Sequence, residues 1–396
     1  MKEDNLLSLS YGNIVNKDIN TSDGLLPESF ETYQIVKPGD IVLRLTDLQN
    51  DKRSLRSALV TQTGIITSAY LALKPEGIDP KYLGYLLRAY DVSKVFYSMG
   101  GGLRQSMKYG DIKRMPLVMP TKAEQSEIAS FLDRETAKID ALITEQQRLI
   151  ELLQEKRQAV ISHAVTKGLN PNAPMKVSGV EWLGEVPEHW EVRKLSQLCA
   201  GIGSGTTPKS DRLEFYEDGT IPWVVTGDLN DSMLDECSNR VTDRAINEHS
   251  TLKLYEAGSV VVAMYGATIG KAALLGIAVT VNQACCVLPP SREVRSEYLL
   301  LFVLAARPHL LSLATGGGQP NINQEVIRSL RMPLPAVSEQ EDIVRQVRSS
   351  LGGVDSVSSM ASKQVELLQE RRSALISAAV TGQIDVRGLV PEAAEQ

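Results

Sequence analysis

Two stretches of the chain, residues 121–167 and 337–381, place apolar residues at alternating spacings of three and four. This heptad periodicity predicts two long α-helices, each with one apolar seam. The seam positions are Ile128, Leu132, Ile139, Leu142, Leu149, Leu153 and Val160 in the first stretch, and Ile343, Val347, Val354, Val357, Leu368 and Leu375 in the second. Gly352 and Gly353 predict a kink or a short break in the second helix, because each glycine weakens a helix by about 1 kcal/mol relative to alanine.

A helix of about 45 residues extends roughly 65 Å, since each residue adds about 1.5 Å. So long a helix has little domain surface to lie on, and we expect the two helices to pair with each other as a coiled coil. The alternative is that each is an amphipathic helix buried on a globular core.

The ends of the two helices carry the same sequence. Residues 150–166 and 365–381 share twelve identities in seventeen positions at a constant offset of 215. Upstream, the Met-Pro-Leu segments at 115–117 and 332–334, the glycine triplets at 100–102 and 316–318, and the turns at Gly39 and Gly258 also correspond. A repeat of this extent indicates two copies of one module, each a variable α/β domain that leads into a long helix.

These patterns predict a mixed α/β (α+β) fold with a pseudo-two-fold internal repeat. We expect a first domain over residues 1–120, a first helix over 121–167, a linker over 168–189, a second domain over 190–336, a second helix over 337–381 and a tail over 382–396. Only 38 residues precede Gly39, whereas roughly seventy separate Trp190 from Gly258. We therefore expect the first domain to lack its opening strands, either as a truncated domain or as a shorter class.

Composition places the chain among ordinary globular proteins. It has 396 residues, 43% of them hydrophobic, and a formal net charge of −6. Its sequence shows no apolar run long enough to span a membrane and does not begin with a signal peptide. The four cysteines show neither disulfide nor metal-binding spacing. We therefore expect a protein of the reducing cytoplasm.

No segment carries a complete catalytic, cofactor or metal motif. Residues 201–205 follow a Gly-x-Gly-x-Gly pattern but lack the helix and the acidic residue of a dinucleotide site, so we expect a flexible turn. Residues 266–271 resemble a phosphate-binding loop that is one residue short and has Ala272 in place of the magnesium-binding hydroxyl. The four histidines show no metal-ligand spacing. We expect a non-enzymatic chain that holds no cofactor and no metal itself.

Polar and basic loops are the remaining candidate chemistry. No part of the chain is strongly basic, so DNA binding would depend on local patches or on a partner subunit. Arginine and lysine suit guanine edges and phosphates, whereas asparagine and glutamine suit adenine edges. The candidate DNA-binding residues are Arg53, Arg56, Arg104, Gln105 and Lys108 in the first domain, and Lys209, Arg212, Gln319, Asn321 and Asn323 in the second. The alternative is that these are ordinary solvated loop residues.

The order of short motifs along the chain resembles the specificity subunit of type I restriction–modification systems. The motifs are WEVRKL at 190–195, GTTP at 205–208, IPW at 221–223, GDL at 227–229, GATIGK at 266–271, NQ at 282–283, GGGQPNIN at 316–323, MPLP at 332–335, EQ at 339–340 and SAAVTGQID at 377–385. The lower half of this series is repeated in residues 100–120 and 124–166, so the resemblance covers nearly the whole chain.

The resemblance implies two target-recognition domains joined by two long antiparallel helices. Each domain would read one half of a split, asymmetric site in double-stranded DNA. The helices would set the spacer length and dock two methyltransferase subunits, with restriction subunits completing the complex. S-adenosylmethionine, ATP and Mg are then expected on those partner subunits, and no membrane is involved.

Three other interpretations stay open at this point. The chain could be a coiled-coil adaptor that reads no DNA sequence. It could be a fused restriction or methyltransferase enzyme, which the missing motifs disfavour. It could also be an incomplete or silent copy whose short first domain does not fold.

Overall fold

The computed structural model describes residues 5–18, 30–46, 48, 55–99, 106–316, 318 and 320–389. The strands are β1 (Leu7–Ser10), β2 (Asn13–Asn16), β3 (Gln34–Val36), β4 (Ile41–Leu43), β5 (Ser57–Leu59), β6 (Gly64–Ile66), β7 (Leu71–Leu73), β8 (Met175–Val177), β9 (Glu185–Pro187), β10 (Glu191–Lys194), β11 (Gly203–Ser204), β12 (Ile221–Val224), β13 (Met233–Leu234), β14 (Arg240–Val241), β15 (Val260–Ala263), β16 (Ala272–Leu275), β17 (Thr280–Val281), β18 (Cys285–Leu288) and β19 (Arg331–Leu334). The α-helices are α1 (Pro80–Val92), α2 (Val95–Met99), α3 (Tyr109–Ile112), α4 (Lys122–Lys167), α5 (Leu195–Leu198), α6 (Asp243–Glu248), α7 (Ser296–Ser312), α8 (Gln324–Ser329) and α9 (Val337–Val380).

The chain divides into two compact units, and each unit contains part of both long helices. Unit 1 comprises Met1–Arg148 and Ala361–Gln396. Its strands form the antiparallel sheet β5-β4-β7 and the pairs β3-β6 and β1-β2. Strand β4 is buried throughout, and its Ile41 belongs to a core that also includes Leu132 of α4 and Ile376 of α9. The first domain thus has a packed core that includes both long helices.

Unit 2 comprises Leu149–Met360 and contains a larger sheet. The strand order is β11-β18-β15-β16-β13, with β14-β12-β17 as a second sheet. Every residue of β15, β16 and β18 is buried, as expected for strands covered on both faces. Three of the four cysteines, Cys199, Cys285 and Cys286, are buried in this unit, and Cys237 is half-buried there. Burial raises the pKa of the Cys285 thiol to about 12.

The two long helices confirm the elements predicted from the heptad pattern. Helix α4 begins after Thr121, which forms a capping box with Glu124: the Thr121 N–H donates to Glu124 Oε2 at 2.9 Å. That hydrogen bond is the main cause that lowers the pKa of Glu124. Helix α9 runs without interruption through Gly352 and Gly353. Of the predicted kink or short break, the break is wrong, because a helix packed over many turns tolerates the local cost of two glycines.

The apolar seam is buried towards the ends of the helices and less so near their middle. Leu132 and Ile343 are fully buried, whereas Leu142 of α4 remains 48% exposed and Val357 of α9 39% exposed. Within unit 1, α4 and α9 run antiparallel, since Arg372 donates to Asp140 at 2.8 Å while Val380, further along α9, lies beside Ile128 near the start of α4. Within unit 2, Arg157 of α4 pairs with Asp355 of α9 at 3.4 Å.

These ion pairs are equivalent through the internal repeat. Asp355 and Arg372 follow Asp140 and Arg157 by the same offset of 215 residues that relates the two copies. Each unit therefore contains one Asp–Arg pair between the long helices, with the two partners exchanged between α4 and α9.

A buried glutamine at the start of each long helix is also repeated. In unit 1, Gln125 accepts from the Asp79 N–H at 2.8 Å and donates to Pro120 O. In unit 2, Gln340 accepts from the Arg295 N–H at 2.8 Å and donates to Pro335 O and Glu293 O. Asp79 and Arg295 are the N-cap residues of α1 and α7. Each glutamine thus joins a long helix to the first turn of a domain helix.

A buried tyrosine fixes the alignment of the two copies. Tyr82 of α1 donates to Val118 O, and Tyr298 of α7 donates to Pro333 O, both at 2.9 Å. Val118 therefore corresponds to Pro333, at the offset of 215. The two Met-Pro-Leu segments lie at an offset of 217, so the correspondence predicted between them is wrong by two residues.

The predicted linker contains secondary structure, and the predicted flexible turn is wrong. The segment predicted as a linker over 168–189 contains the antiparallel pair β8-β9 and a 3-10 helix at Glu181–Leu183. The predicted flexible turn at 201–205 contains strand β11, which pairs with β18. A Cβ at Gly205 would lie 1.7 Å from Val281 O. Glycine is needed there for close packing of the backbone rather than for flexibility.

Candidate nucleic-acid interface

Few of the site residues predicted in unit 1 can be placed. Arg53, Arg104 and Gln105 lie outside the described residues, as does Gln319 of the second domain. Lys108 is exposed and precedes helix α3, and its backbone N–H donates to the Asp111 carboxylate at 2.7 Å. Its side chain thus remains a candidate contact.

Arg56 does not lie on the surface, so its prediction as an exposed DNA contact is wrong. The side chain is fully buried. It donates to Thr46 O at 2.7 Å, to Arg44 O at 3.2 Å and to the Tyr97 hydroxyl at 3.0 Å. The backbone N–H of Arg56 donates to the buried Asp91 carboxylate, whose pKa is raised chiefly by its burial. Arg56 thus satisfies buried backbone carbonyls that would otherwise lack a donor.

In unit 2, several polar loops converge at one end of the sheets. The backbone of Met264 links two of them, because Ile322 N–H donates to Met264 O at 2.9 Å and Met264 N–H donates to Ala284 O at 2.8 Å. Beside them, Tyr265 forms a β-bridge with Asn321, and Gly205 N–H donates to Asn282 O. The loops around residues 205, 265, 283 and 321 therefore form one surface.

The side chains on this surface combine amides, hydroxyls and a cation. Thr207 donates to Gln283 Oε1 at 2.5 Å, which orients the amide and leaves both of its hydrogens available. Gln283, Asn321 and Lys209 are exposed, and Tyr265 is 45% exposed. Such groups can donate to base edges and phosphates. We call this set (Thr207, Lys209, Tyr265, Gln283 and Asn321) the loop surface.

Sequence reasoning placed Lys209 and Asn321 among the candidates but missed Gln283 and Tyr265. A signal for Gln283 was present, because residues 282–283 were among the motifs that carried the family resemblance. Tyr265 directly precedes the segment at 266–271, whose sequence resembles only a phosphate-binding loop. That segment begins with the 3-10 helix Gly266–Thr268.

Two predicted residues have structural partners. Arg212 pairs with Glu214 at 2.6 Å and with Glu248 at 3.6 Å. The hydrogen bond from Arg212 is the main cause that lowers the pKa of Glu214. Asn323 is the N-cap of helix α8, where its Oδ1 accepts from Val326 N–H at 3.0 Å. Both residues are at least partly exposed, and their DNA contacts stay a prediction.

Neither a metal site nor a membrane span is found in the part of the chain that the structure describes. No group of three or more His, Cys, Asp or Glu side chains there could hold a metal ion. None of the described helices is both long and apolar enough to cross a membrane.

Known proteins resemble this chain over most of its length. Residues 187–349 match the family described as "Type I restriction modification DNA specificity domain". The EcoR124I/EcoR124II specificity subunit of Escherichia coli is 25% identical over 301 residues, which cover 74% of this chain and 68% of that protein. The MjaVIII specificity subunit of Methanocaldococcus jannaschii is 24% identical over 368 residues, covering 90% and 81%. The chain is thus similar to type I specificity subunits over most of its length.

The fold also resembles that of a solved protein. A chain from a structure of complex assembly and conformational transition in the type I R-M system superimposes with a TM-score of 0.65, at 16% identity, over 90% of this chain and 85% of that one. The segment that matches the specificity-domain family contains all five residues of the loop surface. It also contains Gln340 and the paired strands β10 and β19.

Proposed function

We propose that this chain is the DNA-recognition subunit of a type I restriction–modification complex. Each α/β domain would bind one half of a bipartite, asymmetric site, and the long helices would dock the methyltransferase subunits. The observation that carries the proposal is the match of residues 187–349 to the specificity-domain family, because that segment presents the loop surface. The two domains differ in their loops, which supports an asymmetric site rather than a palindrome.

The chain itself would be non-catalytic. Its relatives are named as specificity subunits of restriction enzymes, which supports a division of labour between chains. Two methyltransferase subunits and the restriction subunits would bring S-adenosylmethionine, ATP and Mg. The complex would act on DNA in the cytoplasm.

The loop surface supports base reading by amide groups. Gln283 is held by Thr207, which leaves one lone pair of its Oε1 and its amide hydrogens for a base, and Asn321 lies beside Tyr265 in the same surface. A bidentate amide contact suits adenine, which presents one acceptor and one donor in the major groove. The second domain would therefore read a half-site that contains adenine.

The test is co-expression with methyltransferase subunits from the same source, followed by sequencing of methylated bases in the host DNA. We expect a single bipartite, asymmetric motif. In a parallel culture, the variant Gln283→Ala should relax one half of the motif and leave the other half unchanged, because Gln283 belongs to one domain only.

Other outcomes would count against the proposal in distinguishable ways. A stable complex that produces no methylated motif would favour a silent copy or an adaptor. A motif in which both halves change with Gln283→Ala would show that the residue supports folding or assembly rather than reading.

A further inference from the structure

The two copies of the module differ at one edge. In unit 2, strand β19 is covered by β10, with antiparallel partners Val192↔Pro333 and Arg193↔Met332. In unit 1, the corresponding residues 116–119 pair with no strand among the described residues. The difference shows in exposure, since Met332 is fully buried whereas its counterpart Leu117 is 37% exposed.

The backbone of residues 116–119 accepts hydrogen bonds on one side, and the other side is open to a partner strand. The tyrosines Tyr90 and Tyr82 donate to Pro116 O and Val118 O, each at 2.9 Å. The alternation of a strand directs the N–H and C=O groups of Leu117 and Met119 to the opposite side. Within the described residues, these groups have no hydrogen-bond partner.

The covered copy shows which backbone groups a partner strand uses. Leu195 N–H donates to Leu330 O at 2.8 Å, and Pro333 has no N–H to give. In an antiparallel ladder, hydrogen-bonded pairs alternate with non-bonded pairs. The bonded pairs are thus Arg193 with Met332 and Glu191 with Leu334, whose counterparts in unit 1 are Leu117 and Met119.

A cavity adjoins this open edge at the place where unit 2 holds a tryptophan. It has a volume of about 270 Å³, and its lining includes Val118, Pro120, Ala379 and Gly382. In unit 2, Ala164, the counterpart of Ala379, belongs to the same buried core as Trp190, which is fully buried. A Cβ on Gly168, which follows the end of α4, would lie 3.1 Å from the Trp190 ring.

We propose that residues 116–119 form an acceptor edge for an extended strand of another polypeptide that carries a tryptophan followed by the alternating pattern of residues 190–194. The strand binds antiparallel, with its backbone on Leu117 and Met119 and its indole in the cavity beside Gly382. An open strand edge with exposed apolar side chains is a template for such pairing. The interaction is independent of DNA reading by the loop surface.

The probe is a fluorescein-labelled peptide with the sequence of residues 187–197, and binding to the intact chain is measured by fluorescence anisotropy. We expect saturable binding, weakened about tenfold or more when the peptide carries Trp190→Ala, because a buried tryptophan is a typical anchor of an interface. A peptide with Arg193→Pro should also bind more weakly, since it lacks a ladder N–H.

Variants of the chain locate the binding edge. Met119→Pro removes an N–H that the ladder needs and should abolish binding. Val118→Pro is the matched control, because Pro333 occupies the corresponding position in the covered copy, and it should bind as the unchanged chain does. Thr381→Trp, at an exposed residue that lines the cavity, should block the indole and prevent binding without removing any backbone group.

Circular dichroism would confirm that each variant is folded. The proposal is overturned if the intact chain shows no saturable binding, as it would if its own residues fill the edge. It is also overturned if binding persists unchanged in both Met119→Pro and Thr381→Trp, since the peptide would then be exchanging with β10 in unit 2.

Discussion

At the scale of single residues, the partners of a charged side chain decide whether it serves the core or the surface. Arg56 occurs in a polar, basic segment, yet its guanidinium bonds to Arg44 O, Thr46 O and the Tyr97 hydroxyl in a buried site. Lys108 comes from a similar segment and is exposed. The sequence offers little to separate them, because the burial of Arg56 depends on a helix more than thirty residues away.

We expect Arg56→Ala to lower the free energy of unfolding by about 3 kcal/mol, because it leaves the buried carbonyls of Arg44 and Thr46 without their donor. Urea denaturation measures the change. Lys108→Ala, the matched control from the same domain, should shift stability by less than about 0.5 kcal/mol. Equal effects of the two substitutions would contradict the structural role of Arg56.

We expect the loss of one loop-surface side chain to weaken DNA binding at one half-site only. Lys209→Ala should weaken binding of the second half-site about tenfold while the first half-site is unaffected. Competition with duplexes mutated in one half or the other measures this in the assembled complex. Lys176→Ala, which removes the same charge from an exposed position of β8, is the control. A uniform loss over all sequences would assign Lys209 to a phosphate instead.

At the scale of elements, the repeated glutamines join each long helix to its domain. Gln340→Ala should lower the free energy of unfolding by about 2 kcal/mol, because Arg295 N–H and two carbonyls lose their partner. Gln125→Ala should have a comparable effect in unit 1. Chemical denaturation provides the measurement, with the exposed Gln346→Ala on the same helix as control. If Gln346→Ala costs as much, the loss does not come from the hydrogen bonds of Gln340, because alanine itself favours the helix.

Helix α9 offers a stabilising change at its two glycines. A Cβ on Gly352 or Gly353 would meet no atom within 4 Å, so each glycine-to-alanine substitution should add about 0.5–1 kcal/mol to the free energy of unfolding. Gly382→Ala is the matched contrast, because a Cβ there also meets open space but its φ is +73°. It should lower the free energy of unfolding by about 1 kcal/mol. Thermal unfolding would show a stabilised protein in the first case and a destabilised one in the second.

The helices could be predicted because heptad spacing is a local property of the sequence. The alignment of the two copies could not be predicted. The identical Met-Pro-Leu triplets suggest one alignment, whereas the hydrogen bonds of Tyr82 and Tyr298 define another. Similarly, Gln283 enters the loop surface through a contact with Thr207, 76 residues away in sequence. The spacing of residues along the sequence does not indicate such long-range contacts.

At the scale of the whole molecule, the charge balance limits how the chain can hold DNA. Forty-two basic residues face 48 acidic ones, and the net charge is −6. We expect the chain alone to bind DNA with a shallow salt dependence, with a slope of log K against log salt no steeper than about −4, because few phosphates are neutralised. Titrations between low and moderate salt measure it. The complex with methyltransferase subunits should show a steeper slope, and a steep slope for the chain alone would contradict this expectation.

Because cysteine and tryptophan side chains are unevenly distributed, the two units give different thiol-labelling and fluorescence signals. All four cysteines and all three tryptophans, Trp182, Trp190 and Trp223, belong to unit 2, where three of the thiols are buried. Thiol-labelling rates and tryptophan fluorescence therefore follow the opening of unit 2 alone, while circular dichroism follows the helices of both. A difference in timing between these signals separates the unfolding of the two units in the unmodified chain, with no probe added.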